Sequence, residues 1–250
     1  MWSKLLLSFI FCSLSRSFVY ANEFDFNNSS LTAIKSGNRD NYEKIMNYTT
    51  EALQFSLHRP LNRSKLPGPY KLFFETEGDI FDLNDSQVAL ATSDRFAPDS
   101  LKSISLKAGA GFPYGFYLDG GFSYILNSLS ASSVFGNLGF QVLDFANIVY
   151  TDMIPTVSVN VGANYIVDGP AMYGLTSSLL IGAYHRLLWA QISYILQVSY
   201  TQLTETNPSE NHIFIRNGVS SYWPLFEGLF VQQTLYIEPI EANVGIGYQF

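Results

Sequence analysis

The sequence predicts an all-β fold: an antiparallel up-and-down transmembrane β-barrel of about ten strands, with eight or twelve as alternatives, after an N-terminal helical segment. Three observations predict it. Apolar and polar residues alternate from residue 70 onward, which is the pattern of strands. Apolar residues make up 47% of the 250 residues, yet beyond residue 21 they form no run long enough for a transmembrane helix. The other alternating set is small and polar rather than charged, which suits a lumen better than a solvated surface.

Residues 1–21 have the features of a signal peptide. Lys4 supplies a positive charge, Leu5–Leu14 is apolar, and Val19–Ala21 has the small-residue spacing of a cleavage site. The apolar stretch is too short to span a bilayer as a helix. We therefore expect an exported protein that is cleaved after residue 21.

The composition argues against several classes of protein. The net charge of −7 disfavours a nucleic-acid-binding surface, which needs clustered Lys and Arg. The one cysteine, Cys12, lies in the predicted signal peptide, so the remaining chain has no disulfide and no thiol chemistry. The sequence shows no phosphate-binding glycine loop and no cluster of metal ligands. No nucleic-acid partner and no cofactor are predicted.

Residues 22–69 are predicted to form a periplasmic segment with one amphipathic helix over Asp40–Leu57. Apolar side chains recur there every three or four residues, and Pro60, Pro67 and Pro69 follow its end. A helix docked on neighbouring structure is favoured over one on the membrane surface, because its polar face is not strongly basic. Whether the helix enters the barrel or docks outside it stays open.

Residues 70–250 are predicted to form the barrel. In the stretch Ser103–Phe112, for example, Ile104 and Leu106 share one face while Ser105 lies on the other. Strands of this length are long for a soluble sheet, and when tilted they match the apolar thickness of a bilayer. Such segments begin near residues 70, 101, 115, 132, 154, 171, 187, 210, 227 and 241.

Aromatic residues give an independent indication of a membrane. The connections after the second, fourth, sixth and eighth strands are aromatic, whereas the opposite connections are not. If the first strand rises from the periplasm, the aromatic connections form a periplasmic girdle at the bilayer interface, and the longest loop, residues 80–100, is extracellular. The predicted periplasmic girdle is Phe112, Tyr114, Phe116, Tyr184, Trp189, Tyr222 and Trp223. The predicted opposite girdle is Tyr124, Tyr165, Tyr173, Tyr200 and Tyr236.

The last strand carries a further pattern. Val244, Ile246, Tyr248 and Phe250 alternate with small or polar residues, and the chain ends in Phe with an aromatic residue two positions before it. This ending resembles the C-terminal strand signature of bacterial outer-membrane β-barrel proteins. The resemblance implies an outer-membrane protein in contact with outer-membrane lipid. It also implies insertion by the barrel-assembly machinery, which recognises this strand.

A few charged side chains fall on the predicted lumen face. They are Glu75, Glu77, Asp79, Lys107, Asp119 and Arg216. Two interpretations are open: a charged constriction that selects ions or small solutes, or a buried polar network that fills a narrow barrel. About ten strands leave little open volume, which favours the filled lumen. The predicted function is then a structural or interaction role at the cell envelope, with a narrow channel as the alternative.

A lipid-modifying enzyme is a minor alternative. Hydrolases and acyltransferases need a Ser or Thr nucleophile with a His. His212 lies near an external strand end with Ser209, but no motif supports the pair, and Ser209 is too close along the strand. We therefore expect no enzymatic activity. The sequence leaves the oligomeric state open.

Overall fold

The computed structural model describes residues 50–82, 100–126, 131–147, 151–168, 171–203, 210–237 and 240–250. The predicted signal peptide, residues 40–49 of the predicted helix and most of the predicted loop 80–100 lie outside these ranges.

Ten antiparallel strands close into one barrel, as the sequence predicts. The strands are β1 Leu72–Asp82, β2 Ser100–Gly111, β3 Phe116–Ile125, β4 Ser132–Asp144, β5 Met153–Asp168, β6 Met172–His185, β7 Gln191–Leu203, β8 Glu210–Phe226, β9 Leu229–Tyr236 and β10 Glu241–Gln249. Each strand pairs with its neighbours in sequence, and β1 pairs with β10 from Phe73 opposite Gln249 to Phe81 opposite Glu241. The ring therefore leaves no open sheet edge.

The two faces of the strands differ as the alternation predicts. On β1, for example, Phe74 and Ile80 point outward and are exposed, whereas Glu75 and Glu77 point inward and are buried. In the described part of the chain, no charged residue occupies an outward position in the middle of a strand. The outer surface is therefore a broad apolar belt, and the inner surface is polar.

Three of the predicted girdle aromatics face the lumen instead. Tyr184 is 3% exposed, Tyr222 is 7% exposed and Tyr236 is fully buried, so placing them at the bilayer interface was wrong. The strand parity is the reason: Tyr222 and Trp223 are adjacent on β8 and must point to opposite faces. The other predicted members of both girdles are exposed: Phe112, Tyr114, Phe116, Trp189, Trp223, Tyr124, Tyr165, Tyr173 and Tyr200.

Residues 50–66, here called the lumen segment, run through the interior of the barrel. Residues 50–57 form two turns of helix, and residues 58–66 continue without regular secondary structure. All side chains of the segment are buried except those of Glu51 and Lys65, which are partly exposed. The helix therefore enters the barrel, and the expectation of a periplasmic segment does not hold for these residues. Within the described chain, no helix is long and apolar enough to cross a membrane.

The lumen segment divides the barrel into two ends. At the helix end, where β1 finishes, Leu53, Phe55 and Leu57 pack against strand-end residues such as Phe81 and Leu101. At the opposite end, called the turn end, the chain leaves the lumen through residues 67–71 and enters β1. A second apolar cluster lies there and consists of Leu61, Leu66, Phe73, Tyr117, Tyr222 and Phe230. Short 3₁₀ turns, Pro113–Gly115 and Phe145–Asn147, also lie at the turn end.

Candidate functional site in the barrel lumen

The barrel wall binds the backbone of the lumen segment. Residues 59–66 have no helix or strand partner, so their buried N–H and C=O groups need other hydrogen bonds. Ser133 Oγ donates to the carbonyl oxygen of Leu57 at 2.8 Å, and Asn160 Nδ2 donates to that of Leu61 at 2.6 Å. Further wall side chains that bond to the segment's backbone are Ser103, Asn137, Ser158, Gln191, Ser193 and Ser220. The small polar residues of five strands thus form a hydrogen-bonding surface for the segment.

Arg59 is the centre of a buried charge network. Its Nη2 atom lies 2.9 Å from Asp79 Oδ2, and its Nη1 atom lies 3.2 Å from Glu241 Oε1. The guanidinium also donates to the carbonyl oxygens of Phe55 at 2.7 Å and Ser56 at 2.6 Å. These bonds satisfy carbonyl groups in the last turn of the helix. Arg59 therefore fixes the helix to β1 and β10 together.

Arg216 on β8 completes this network from the wall. It forms an ion pair with Glu241, and its Nε atom donates to Gln197 Oε1 at 3.1 Å. Its guanidinium carbon lies 3.8 Å from the ring centroid of Phe55 and 3.5 Å from that of Tyr236. A planar guanidinium can make these stacking contacts and the ion pair at once. Glu241 consequently links the two arginines.

The remaining predicted lumen charges lie on β1 to β3. Lys107 Nζ lies 3.1 Å from Glu75 Oε2 and 3.4 Å from Glu77 Oε2. Asp119 accepts a hydrogen bond from the hydroxyl of Tyr117. All six residues of the predicted charge cluster are buried inside the barrel, in two groups joined through β1. In the group on β1 to β3, one base, Lys107, faces three acids, Glu75, Glu77 and Asp119, so this group keeps an excess of carboxylates.

His58 links the lumen segment to two strands as a neutral side chain. Asn137 Nδ2 donates to Asp119 Oδ1 at 2.6 Å and to the carbonyl oxygen of Arg59 at 2.9 Å, which sets the orientation of the amide. Its Oδ1 atom, 2.8 Å from His58 Nε2, therefore accepts, so Nε2 carries the proton. The Nδ1 atom then accepts from the hydroxyl of Thr176 at 2.8 Å.

The wall and the lumen segment differ in net charge. The buried ionisable side chains of the described wall comprise five acids and two bases: Glu75, Glu77, Asp79, Asp119 and Glu241, with Lys107 and Arg216. The lumen segment adds two buried bases, Arg59 and Arg63. Opposite charges attract strongly at low dielectric. The segment thus reduces an excess of carboxylates on the wall.

Arg63 has no carboxylate partner among the described residues. Its guanidinium carbon lies 4.5 Å from the ring centroid of Tyr222, 4.9 Å from that of Phe230 and 5.3 Å from that of Phe73. The residue is 2% exposed, and in the described chain its Nε and Nη2 atoms make no hydrogen bond. Aromatic rings stabilise the charge partly, but unmet buried N–H groups are unfavourable.

A cavity of about 520 Å³ opens at the turn end beside Arg63. Its lining includes Lys65 and Lys71 from the chain leaving the lumen, and Trp189 and Tyr222 from the wall. A second cavity of about 300 Å³ lies on the other side of residues 65–68. Both cavities therefore lie where the chain leaves the lumen, on either side of residues 65–68.

The sequence patterns did not identify three central charges, Arg59, Arg63 and Glu241. Glu241 has the same strand parity as Asn243 on β10, so the alternation contained its signal. The two arginines lie in the irregular part of the lumen segment, where no periodicity indicates which way a side chain faces.

The predicted assembly residues lie on the outer face of β10. Val244, Tyr248 and Phe250 are exposed, and Ile246 is partly exposed. The ring centroid of Phe250 lies 4.9 Å from that of Tyr248 and 6.0 Å from that of Phe74. The last residues therefore present a contiguous aromatic patch at the turn end. Recognition of this patch by assembly machinery stays a prediction.

The residues of the minor enzyme alternative have little structural content. His212 lies on β8 with its ring stacked against Phe214 at 6.0 Å, and its proposed partner Ser209 falls outside the described residues. Within the described ranges, no group of three His, Cys, Asp or Glu residues is arranged to hold a metal ion.

Comparison with known proteins gives only structural similarities. No family model matches the chain, and no curated protein matches it. The chain is similar to an outer membrane channel from Pseudomonas putida F1, with a TM-score of 0.38, 10% identity, and coverage of 77% of this chain and 100% of that one. It is also similar to porin variants from Rhodopseudomonas blastica, one with a TM-score of 0.24, 8% identity, and coverage of 72% and 99%. Similarities of this size leave the function to be argued from the chain's own geometry.

Proposed function

We propose that this protein is an integral outer-membrane β-barrel whose lumen is closed by its own N-terminal segment, with a structural or interaction role at the cell envelope. The observation that carries the proposal is the hydrogen bonding between the wall and the backbone of residues 57–66. Wall side chains that would line a water-filled pore are instead committed to this segment. Buried polar groups satisfied in this way specify one arrangement of the interior.

The outer surface supports the membrane part of the proposal. Outward side chains along the middle of the strands are apolar or uncharged, and a solvated sheet of this size would carry charges there. Exposed aromatic residues concentrate at the strand ends, where bilayer interfaces lie. A closed ring also satisfies every backbone group between strands, which the hydrocarbon core demands.

The orientation and the partners belong to the same proposal. We place the turn end in the periplasm, because its connections are short and aromatic, and the loop within residues 80–100 outside the cell. Outer-membrane lipid contacts the apolar belt, and the barrel-assembly machinery acts on β10. No enzymatic role is proposed.

Bilayer conductance tests the closed lumen. The full chain, reconstituted into planar lipid bilayers, is expected to insert without reproducible current steps at either polarity. Outer-membrane fractionation of the expressed protein checks that the same chain is membrane-embedded. Regular open steps from the full chain would overturn the closed lumen, and recovery in the soluble periplasmic fraction would overturn the membrane barrel.

A narrow cation channel is the second candidate. It is favoured by the acidic wall and by the ion pairs of Arg59, which hold the segment through polar rather than purely apolar contacts. If the segment can leave, Arg59→Ala is expected to give brief cation-selective steps in the same bilayers. If this variant inserts normally and gives no current steps, the channel function is excluded and the closed barrel is retained.

A further inference from the structure

The cavity at the turn end has an unusual lining. Among the described residues, Arg63, Lys65 and Lys71 supply three basic groups to its lining, and none of the lining residues is acidic. Lys65 forms an ion pair with Asp144, but this acid borders the neighbouring cavity instead. The cavity, about 520 Å³ in volume, is large enough for a small organic molecule.

Arg63 presents charge to this cavity without a protein acceptor. Arg63 lines the space, and its guanidinium carbon lies 4.5 Å from the ring centroid of Tyr222, which lines the cavity as well. The Nε and Nη2 atoms make no hydrogen bond within the described chain, although the residue is almost fully buried. A buried guanidinium with free N–H groups matches the two oxygens of a carboxylate or phosphate.

The rest of the lining provides apolar and amide surfaces. Leu66, Pro67, Trp189 and Pro224 contribute apolar area, and Gln191 and Gln249 contribute amides. Arg59 and Arg216, the other two buried arginines, both have carboxylate partners. Arg63 differs from them in facing a cavity where such a partner is missing.

We propose that the turn-end cavity is a binding site for a small organic anion. A carboxylate or phosphate group of the ligand contacts Arg63, the two lysines add to the attraction, and an apolar body lies against Trp189 and Leu66. The same anionic chemistry is offered by a free solute and by a phospholipid headgroup. Because Arg63, Lys65 and Leu66 belong to the lumen segment, this site rests on the proposed closed lumen and exists while the segment occupies the barrel.

Isothermal titration calorimetry with matched probes tests the proposal. The full chain in a neutral detergent is titrated with benzoate, with phenyl phosphate and with benzamide, which has the shape of benzoate without its charge. Saturable binding of an anionic probe is expected, with benzamide about tenfold weaker or more. Phosphatidylglycerol added to the micelles identifies the source: Arg63-dependent displacement of the bound probe indicates a headgroup, and no displacement indicates a free solute.

Variants assign the binding to Arg63. Arg63→Gln is expected to weaken binding about tenfold or more. Arg63→Lys should weaken it by less, because the lysine ammonium keeps the positive charge but lacks the paired N–H donors of a guanidinium. Lys71→Gln removes an exposed charge at the mouth without disturbing the interior, and about a twofold to threefold loss is expected. Lys102→Gln on β2, at the helix end, is the matched control and should bind as the unchanged protein does.

Three results would overturn the proposal. The first is the absence of saturable binding for both anionic probes. The second is equal affinity for benzoate and benzamide, and the third is an affinity unchanged in both Arg63→Gln and Lys71→Gln. The circular dichroism of each variant shows whether the barrel has formed, and Lys71→Gln keeps the test decisive if Arg63→Gln does not fold.

Discussion

The helix end and the turn end of the lumen are closed by different physical means. At the helix end, Leu53, Phe55 and Leu57 pack against a ring of apolar strand-end residues, and Arg59 anchors the last helical turn with two carboxylates. At the turn end, the chain crosses the mouth in an irregular conformation, with Arg63 held among aromatic rings and a cavity of about 520 Å³ beside it. The helix end is therefore closed by apolar packing and ion pairs, whereas the turn end is closed by aromatic rings around Arg63 and borders a cavity.

This difference indicates how stability and function are divided along one short segment. Residues near the helix hold the segment in place through apolar packing and through the ion pairs of Arg59. Residues near the exit from the lumen border a cavity, where the proposed ligand would bind. The following predictions test this division.

Removal of the whole lumen segment should have the largest effect. A chain lacking residues 22–66 is expected to convert a silent barrel into a conducting one, because the segment fills the space between the walls. The pore should prefer cations, since five acids and only two bases remain buried on the described wall. Planar-bilayer conductance and reversal potentials measure this. A deletion variant that inserts normally and stays silent would contradict the segment's role as the closure.

Glu241→Gln should strongly destabilise the helix-end half of the lumen. Glu241 forms ion pairs with both Arg216 and Arg59. Loss of one member of a buried ion pair costs about 3–5 kcal/mol. Urea unfolding in detergent measures the free energy of unfolding. Glu227→Gln, at an exposed turn position, is the control and should change the free energy of unfolding by less than about 0.5 kcal/mol. Equal effects of the two variants would show that the buried charge network does not stabilise the barrel.

A matched pair of leucine truncations compares the two ends directly. Leu57→Ala, in the helix-end cluster, should cost about 3–5 kcal/mol of unfolding free energy, as a fully enclosed leucine does. Leu66→Ala should cost about 1–2 kcal/mol less, because Leu66 already borders a cavity and makes contacts on fewer sides. Equal losses in the same urea titrations would show that both ends are packed alike.

Gly111→Ala should have the smallest of these effects and should be confined to the turn end. A methyl group there would clash with the backbone carbonyl oxygens of Pro67 and Gly68, which cannot rotate away. A loss of about 1–3 kcal/mol is expected. Gly78→Ala on β1 faces open space and is the control, with an expected change under about 0.5 kcal/mol. Hydrogen exchange of the backbone amides locates the loosening; a loss spread evenly over the barrel would contradict a local clash.

The barrel was largely predictable from sequence, because the period of two is a local property of each strand. The same alternation places Glu75, Glu77 and Asp79 on the inner face of β1, where the structure has them. Tyr184, Tyr222 and Tyr236 were misplaced because grouping aromatics by their connection ignores the parity of the strand. Near a strand end, a shift of one residue changes the face.

The contents of the lumen were not predictable in the same way. The position of Arg59 depends on Asp79 and Glu241, which lie on strands at opposite ends of the barrel sequence. Arg63 depends likewise on rings from β1, β8 and β9. These contacts arise only when the ring has closed, so no local pattern in residues 58–66 indicates them.

The seam between β1 and β10 has a consequence for the order of folding. It joins the first strand to the last, Phe73 to Gln249, and such distant pairings form slowly. The lumen segment continues directly into β1, and the side chains that bond to its backbone are spread over five strands from β2 to β8. Its binding surface therefore does not exist until most of the sheet has formed, and after the seam closes the segment can no longer enter sideways. We therefore expect seam closure and capture of the segment to be one late, cooperative folding step.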